Sequence, residues 1–228
     1  VMATCNGAST LPKVLAAYSR LAHPGEDWKL IIVNDGSTDA TDQILAGFAA
    51  SLPLTVIRQQ RSGKNAALNA ALEVALADPA CQLLVFTDDD ATPEADWLLK
   101  LAECARAQPD YAIFGGAIYA DWAVPPPDWV LNNVPLGITY AVTTAPSGPV
   151  FAGLVWGANM AVRRAVFDAG HRFNARIGIH SQASSVPRAR RHYSATPRAR
   201  NWSNADNDDL RPTCRCPRRL RACPPRPG

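Results

Sequence analysis

Three consecutive carboxylates, Asp88, Asp89 and Asp90, follow directly on the apolar run LLVF in QLLVFTDDDATP. Like charges side by side repel one another and resist desolvation, so a chain that sets them at the lip of its core needs water or a cation in compensation. Hard oxygen ligands select Mg²⁺ or Mn²⁺. Mg²⁺ is usually held by one or two carboxylates plus substrate phosphates, so two acids at i and i+2 are enough. On an extended strand end Asp88 and Asp90 would point the same way and Asp89 the opposite way. Asp35 ends another apolar run, WKLIIVND, and Lys64 opens the stretch KNAALNAALEVALA after a third, LTVIRQQ. In a parallel sheet the crevice outside the carboxyl ends of the strands is the default ligand site, so these residues could converge on one diphosphate with its metal. Each has an ordinary reading too: DDD as a solvated strand end before a helix N-terminus, Asp35 as a turn residue bonded to its own backbone, Lys64 as a surface lysine. RSGKNA lacks the GxxxxGK[ST] spacing of an ATPase phosphate loop. The order of the signals, at consecutive strand ends, favours the shared site.

The elements that would hold these residues alternate between strand and helix up to about Arg176, which predicts an α/β domain with a mostly parallel central sheet flanked by helices. Leu11, Val14, Leu15, Tyr18 and Leu21 recur at helical spacing. After WKLIIV, the turn NDGSTDAT uses Gly36 for its tight bend and Ser37, Thr38 or Asp39 as a cap for a helix whose apolar face is Ile44, Leu45 and Phe48. KNAALNAALEVALA is rich in helix formers and is stopped by Asp78 and Pro79. After the acids, Thr92 is predicted as an N-cap with Pro93 at the first helical position and Glu94 in the first turn, leading into ADWLLKLAECARA. YAIFGGAIYA is a further strand. DWAVPPPDWVLNNVPLG reads as irregular surface chain, and GLVWGANMAVRRAVFDAG resumes strand and helix.

The net charge of +3 hides two different materials. Residues 1–176 hold 12 Lys and Arg against 17 Asp and Glu, or −5, and residues 177–228 hold 11 Arg against 3 Asp, or +8. This tail has seven Pro, no Lys or Glu and no apolar period of 2 or 3.6, and is expected to be poorly structured. Its aromatic residues are Tyr193 and Trp202, too few for a base-stacking platform, so no specific nucleic-acid partner is expected. Cys214, Cys216 and Cys223 have neither CxxC spacing nor nearby His partners, which argues against zinc. No apolar run reaches the roughly 18 to 20 residues that span a bilayer. MATCNG looks like a strand entering a loop, so the natural chain is expected to begin earlier, and an anchor or signal could lie beyond either end.

Residues 1–176 resemble the family 2 glycosyltransferases of the GT-A fold. ATCNGA is similar to the family's opening P-T-Y-N loop, with Ala3 and Cys5 in place of Pro and Tyr; IIVNDGSTDAT to its V-D-D-G-S-T-D segment; and GKNAALNAAL to its G-x-x-x-A-L-N-x-G helix start. FTDDDATP resembles the DxD element and GANMAVRRAVFDAGHRF the G-x-N-M-A-x-R-R segment. The resemblance implies a nucleotide-sugar site: Thr4 and Asn6 near the base, Asp35 hydrogen-bonding it, Lys64 near the diphosphate or base, Asp88 facing ribose or metal, Asp89 among the donor-binding residues, and Asp90 on the metal. It places Trp156, Gly157 and Asn159 on the acceptor side. It further implies Mg²⁺ or Mn²⁺, a donor that is a UDP-sugar, and an inverting attack by the hydroxyl of a glycan or lipid-linked glycan. The expected location is cytoplasmic, with peripheral contact at the inner face of the membrane.

That attack needs a base, which the family supplies as a carboxylate downstream of the G-x-N-M segment. Here RIGIHSQASSVPRARRHYSATPRAR contains no acid. The first carboxylates after Asp168 are Asp206, Asp208 and Asp209, in a context unlike the motif, and His180 and His192 read better as surface histidines than as a base. The catalytic base is therefore unassigned. The composition change near Ile177 is what a reading-frame shift in a GC-rich gene would produce; translating the other two frames after codon 176 and finding no acidic helix motif would exclude that origin. The alternative to a transferase is a nucleotide-sugar-binding remnant without its base.

Overall fold

The computed structural model describes residues 1–22, 28–122, 124–143 and 147–177, and the backbone of 213–222. Continuous apolar runs of four to six residues bury both faces of a parallel sheet, and the first half of the chain uses them so. Strands β1 (Met2–Thr4), β2 (Leu30–Asp35), β3 (Leu54–Gln59) and β4 (Leu83–Asp88) lie in the order β3-β2-β1-β4, all parallel. Helices α1 (Leu11–Tyr18), α2 (Thr41–Phe48) and α3 (Lys64–Leu76) are the crossovers. Alternation along β2 divides the core: Leu30 and Ile32 pack with Leu11, Val14, Leu15 and Leu45 on one face, while Ile31 and Val33 pack with Ala67, Leu68, Ala71 and Leu72 of α3 on the other. The register pairs Thr4 with Asn34, Asp35 with Gln59 and Ala3 with Asp88, which brings the carboxyl ends of four strands to one rim.

The second half is mixed. Strand β5 (Ala91–Pro93) leads to helix α4 (Trp97–Ala107) and strand β6 (Ile113–Ala120), followed by helices α5 (Asp128–Asn133) and α6 (Leu136–Tyr140) and strand β7 (Gly148–Val150). Two 3₁₀ turns, Ala152–Leu154 and Gly157–Asn159, precede β8 (Met160–Arg163) and α7 (Arg164–Asp168). β8 inserts antiparallel between β4 and β6. The segment expected to be irregular contains α5 and α6, whose N-caps are Pro127 and Pro135; the prolines that exclude a strand also preset a helix start.

Two further departures concern the acids' neighbourhood and the tail. Thr92 and Pro93 do not start a helix: they lie in β5, the Thr92 hydroxyl is buried with no hydrogen-bond partner among the described residues, and α4 begins at Trp97. Strand pairing there outcompetes a cap signal that is purely local. In the tail, where little folded structure is expected, Thr213–Ala222 forms β9, parallel to β6 and antiparallel to β5 and β7. Backbone ladder bonds satisfy the open edge of β6 without any apolar period, so a periodicity reading is blind to them. The rest of the tail, including His180, His192, Asp206, Asp208 and Asp209, lies outside the described residues.

Gly36 holds φ at 70° in the turn after β2, and a Cβ there would stand 2.7 Å from the backbone nitrogen of Arg61. Gly36→Ala should therefore cost about 2–4 kcal/mol, from left-handed strain plus a backbone clash, seen as a lowered denaturant midpoint at unchanged slope. An unchanged midpoint would contradict this packing of the turn after β2 against the turn after β3.

Candidate functional site

The loop after β1 is bolted to the loop after β2. Asn6 has φ 57°, its backbone N–H donates to Ser37 Oγ at 2.9 Å, and its side-chain Oδ1 accepts from Thr38 N–H at 2.8 Å. Gly7 N–H donates to Thr41 Oγ1 and Ala8 N–H to Asp39 Oδ2. None of the three cap candidates caps α2: its N-cap is Ala40, with no side-chain cap bond, and Asp39 instead turns the chain before it by accepting from Thr41 N–H at 3.0 Å. A Cβ on Gly7 would collide with the Thr4 hydroxyl, and that buried hydroxyl donates to Asp89 Oδ2 at 2.5 Å. The glycine thus makes room for a bond that joins the first strand to the acidic strand end.

Asp35 is only 4% exposed. Its Oδ1 accepts from Gln59 Nε2 and from Ser62 N–H, both at 2.7 Å, and its Oδ2 accepts from Gly63 N–H at 2.8 Å. The carboxylate so sets the bend, with Gly63 at φ 94°, that launches α3. Lys64, the first residue of that helix, donates its ammonium to Asp88 Oδ1 at 2.5 Å. Partial loss of water around the Lys64 ammonium, which remains half exposed, works to lower it, but the charge and hydrogen bond of Asp88, with Asp90 and Asp89 behind it, outweigh that and hold it above the usual lysine value.

The extended strand ends at Asp88, and Asp89 and Asp90 form a turn. Strict alternation of the three acids does not apply past Asp88, because a turn replaces the pleat that would impose it. Asp89 is tied to Thr4 and Asp88 to Lys64. Asp90 accepts from no other side chain among the described residues; burial first, then the charges of Asp88 and Asp89, push its carboxyl up to about 6. Between the ordinary carboxyl value near 3.8 and that raised value, the folded chain holds a proton the unfolded chain has released, so this group's contribution to stability falls as pH rises through the window. Asp90→Asn should melt several degrees above the parent at pH 7.5 and level with it near pH 4. A difference independent of pH in melting curves across that range would contradict the assignment.

On the other side of the rim, Asn159 is buried, accepting from Trp97 Nε1 at 2.9 Å and donating to the Ala117 carbonyl at 3.2 Å. It ties α4 and β6 to the turn that carries Trp156 and Gly157. Trp156 packs half-buried against the first core cluster, and Gly157 faces open space. The arginines after this turn close helix ends: Arg163 donates to the carbonyls of Tyr111, Ala105 and Gln108 at the end of α4, and Arg164 to those of Leu76 and Asp78 at the end of α3.

Residues whose roles the sequence did not reveal complete the frame. Gln59 supports Asp35, and the parallel register that pairs them is its signal. Asn65, Asn69 and Glu73, at i, i+4 and i+8 on α3, grip the segment after α7. Arg172 bonds Glu73, Asn69 pairs with both backbone groups of Phe173, and Asn65 donates to the carbonyls of Asn174 and Ile177. The chain therefore runs down α3 toward Lys64. Helical spacing of the polar residues was the available clue.

The donor set suits a hard divalent cation completed by water and phosphate oxygens, because Asp90 is a half-buried carboxylate in need of a counter-charge and Asp88 stands beside it. Among the described residues no group of three or more His, Cys, Asp or Glu side chains is gathered to hold a metal. Among the same residues no helix is long and apolar enough to cross a membrane.

Residues 1–170 match the sequence model of the family described as "Glycosyl transferase family 2". Two curated proteins of Haloferax volcanii are similar: a glucosyl-dolichyl phosphate glucuronosyltransferase, 27% identical over 49% of this chain and 34% of its own length, and the glycosyltransferase AglE, 27% identical over 41% and 30%. The chain spans about a third of the length of these relatives. Among solved structures, residues 1–349 of TarS from S. aureus superpose with a TM-score of 0.58 at 18% identity, over 78% of this chain and 50% of that one. The mannosyltransferase PcManGT from Pyrobaculum calidifontis, solved with GDP-Man and Mn²⁺, superposes with a TM-score of 0.54 at 23% identity, over 76% and 46%. TarS has also been solved with UDP and with UDP-GlcNAc. These structural likenesses establish the GT-A fold.

Proposed function

The chain belongs to glycosyl transferase family 2, and from that premise we propose that it moves a sugar from a nucleoside-diphosphate donor to a hydroxyl acceptor, inverting the anomeric carbon. The observation that carries this reading is the rim itself: Thr4, Asp35, Lys64 and Asp88 to Asp90 come from three strand ends and one helix start, with Thr4 bonded to Asp89, Lys64 paired with Asp88, and Asp35 holding Gly63 N–H just before Lys64. Asp35 Oδ2 accepts only Gly63 N–H among the contacts described, and a carboxylate oxygen has room for a second donor, such as a base N–H. In this reading Thr4 and Asn6, in the loop tied to the turn after β2, would lie near the base, and Lys64 would bring positive charge to the diphosphate. Asp90 with Asp88 would hold Mg²⁺ or Mn²⁺, which supplies charge neutralisation on the departing nucleoside diphosphate. UDP is the expected donor nucleotide, and a glycan or lipid-linked glycan in polysaccharide assembly the expected acceptor, entering past Trp156 and Gly157. In this reading the reaction takes place on the cytoplasmic side, with peripheral membrane contact.

A second reading, a binding protein impaired in transfer, is favoured by one specific feature: between Asp168 and Asp206 the sequence has no carboxylate to serve as base. Release of UDP from UDP-sugars in Mn²⁺, with and without a panel of hydroxyl acceptors, separates the two. Acceptor-dependent release establishes transfer; tight donor binding without acceptor-dependent release establishes the binding protein.

A further inference from the structure

We propose that Lys64 is an exchangeable counter-ion, holding Asp88 until a nucleoside diphosphate and a divalent cation arrive together, and then passing from the carboxylate to the diphosphate. This rests on the donor-site reading above and adds an order of events to it. The Lys64–Asp88 pair sits at the rim, with side chains 52% and 28% exposed, where ion pairs are weak and easily exchanged. An ammonium on a four-carbon stem is a mobile point charge with no fixed fork geometry to preserve, so it can change partners at little cost. Its anchor point favours such a move, since Lys64 begins α3 directly after Gly63, beside the ends of β2 and β4.

The two carboxylates that suit a cation are not equivalent. Lys64 donates a hydrogen bond to Asp88, whereas it reaches Asp90 through its charge alone among the described residues, too weakly to offset burial and the neighbouring acids. A divalent cation arriving alone must compete with the ammonium for Asp88 and bear its repulsion. A diphosphate arriving alone meets three carboxylates. Together they remove both obstacles: the diphosphate gives Lys64 a new anionic partner, Asp88 is freed for the cation, and the cation screens the acids from the phosphates. Cation and nucleotide should therefore bind synergistically, with Lys64 as part of the coupling.

Mn²⁺ alone, and UDP and GDP each alone, titrated into the parent, Lys64→Met and Lys64→Arg test this by electron paramagnetic resonance and calorimetry. Removing one nearby positive charge should tighten Mn²⁺ binding roughly tenfold in Lys64→Met, while metal-free nucleotide binding weakens by about the same factor. Lys64→Arg should bind Mn²⁺ as the parent does. The opposite signs are the signature, since a merely structural lysine would move both the same way or neither. If Lys64→Met binds Mn²⁺ no more tightly, the exchange is overturned, while Mn²⁺-dependent nucleotide binding by the parent would leave the donor site standing. If the parent itself binds neither nucleotide more tightly with Mn²⁺, the donor-site reading fails and the exchange with it. Lys64→Gln repeats the comparison should the Met variant not fold.

Discussion

Asp90→Ala should lower nucleotide affinity in the presence of Mn²⁺ by about a hundredfold or more and leave metal-free affinity equal or slightly higher. The reason is the asymmetry among the three acids. Thr4 holds Asp89 and Lys64 holds Asp88, while at Asp90 burial and two negative neighbours outweigh the nearby Lys64 charge. A folded chain gains nothing from that arrangement above pH 6, where Asp90 ionises at a cost. The same substitution should thus raise the melting temperature at pH 7.5 while it removes cation-dependent binding, the trade-off expected where a site is kept at the expense of stability. Isothermal titration and thermal melting on one sample measure both. Loss of stability together with unchanged binding would show that Asp90 is structural.

Asp35→Ala should be the most destabilising change at the rim, by about 3–5 kcal/mol. A buried charged acceptor that satisfies Gln59, Ser62 and Gly63 would be lost, leaving the buried Gly63 N–H and its neighbours without a partner. The bend before α3 would loosen, and with it the placement of Lys64, so nucleotide affinity should fall as well. Asp35→Asn makes the test sharper. Its Oδ1 can still accept from Gln59 and Ser62, but its amide would face Gly63 N–H donor to donor, so it should fall between parent and Ala. Denaturant midpoints that rank Asn with the parent would mean that the Gly63 bond contributes little.

The first half of the fold was legible because it is locally redundant. Apolar runs buried on both faces, Ala-rich helix and Gly turns all pointed to the same βα units, and the structure places Asp35, Lys64 and Asp88 at the ends expected. Legibility failed where a long-range partner decides the local shape. Thr92-Pro93 carries a good helix-start signal, yet the chain there pairs with β9, whose partner residues lie about 130 positions on. Alternation across Asp88, Asp89 and Asp90 presupposed an extended chain, and the turn after Asp88 ended it. Gln59 and Asn69 are polar residues of common type whose partners, Asp35 and Phe173, only the folded register reveals.

The site's polar side chains are largely bonded to one another, which has a consequence for binding. Asn6, Thr41 and Asp39 lock the two loops, Asp35 sets the third, and Asn159 with Trp97 fixes the turn before β8. A ligand entering this frame would not need to order it, so less of its binding energy goes into immobilising protein.

As proposed, this rim binds a nucleoside diphosphate together with a divalent cation held by Asp90. Calorimetric titration of UDP and of GDP into the parent chain and into Asp90→Ala, each with and without Mn²⁺ at pH 7.5, tests it most directly. The account predicts that Mn²⁺ strengthens binding of at least one nucleotide to the parent and that this gain disappears in Asp90→Ala. Nucleotide binding indifferent to Mn²⁺, or an Asp90→Ala chain that responds to Mn²⁺ as the parent does, would contradict it.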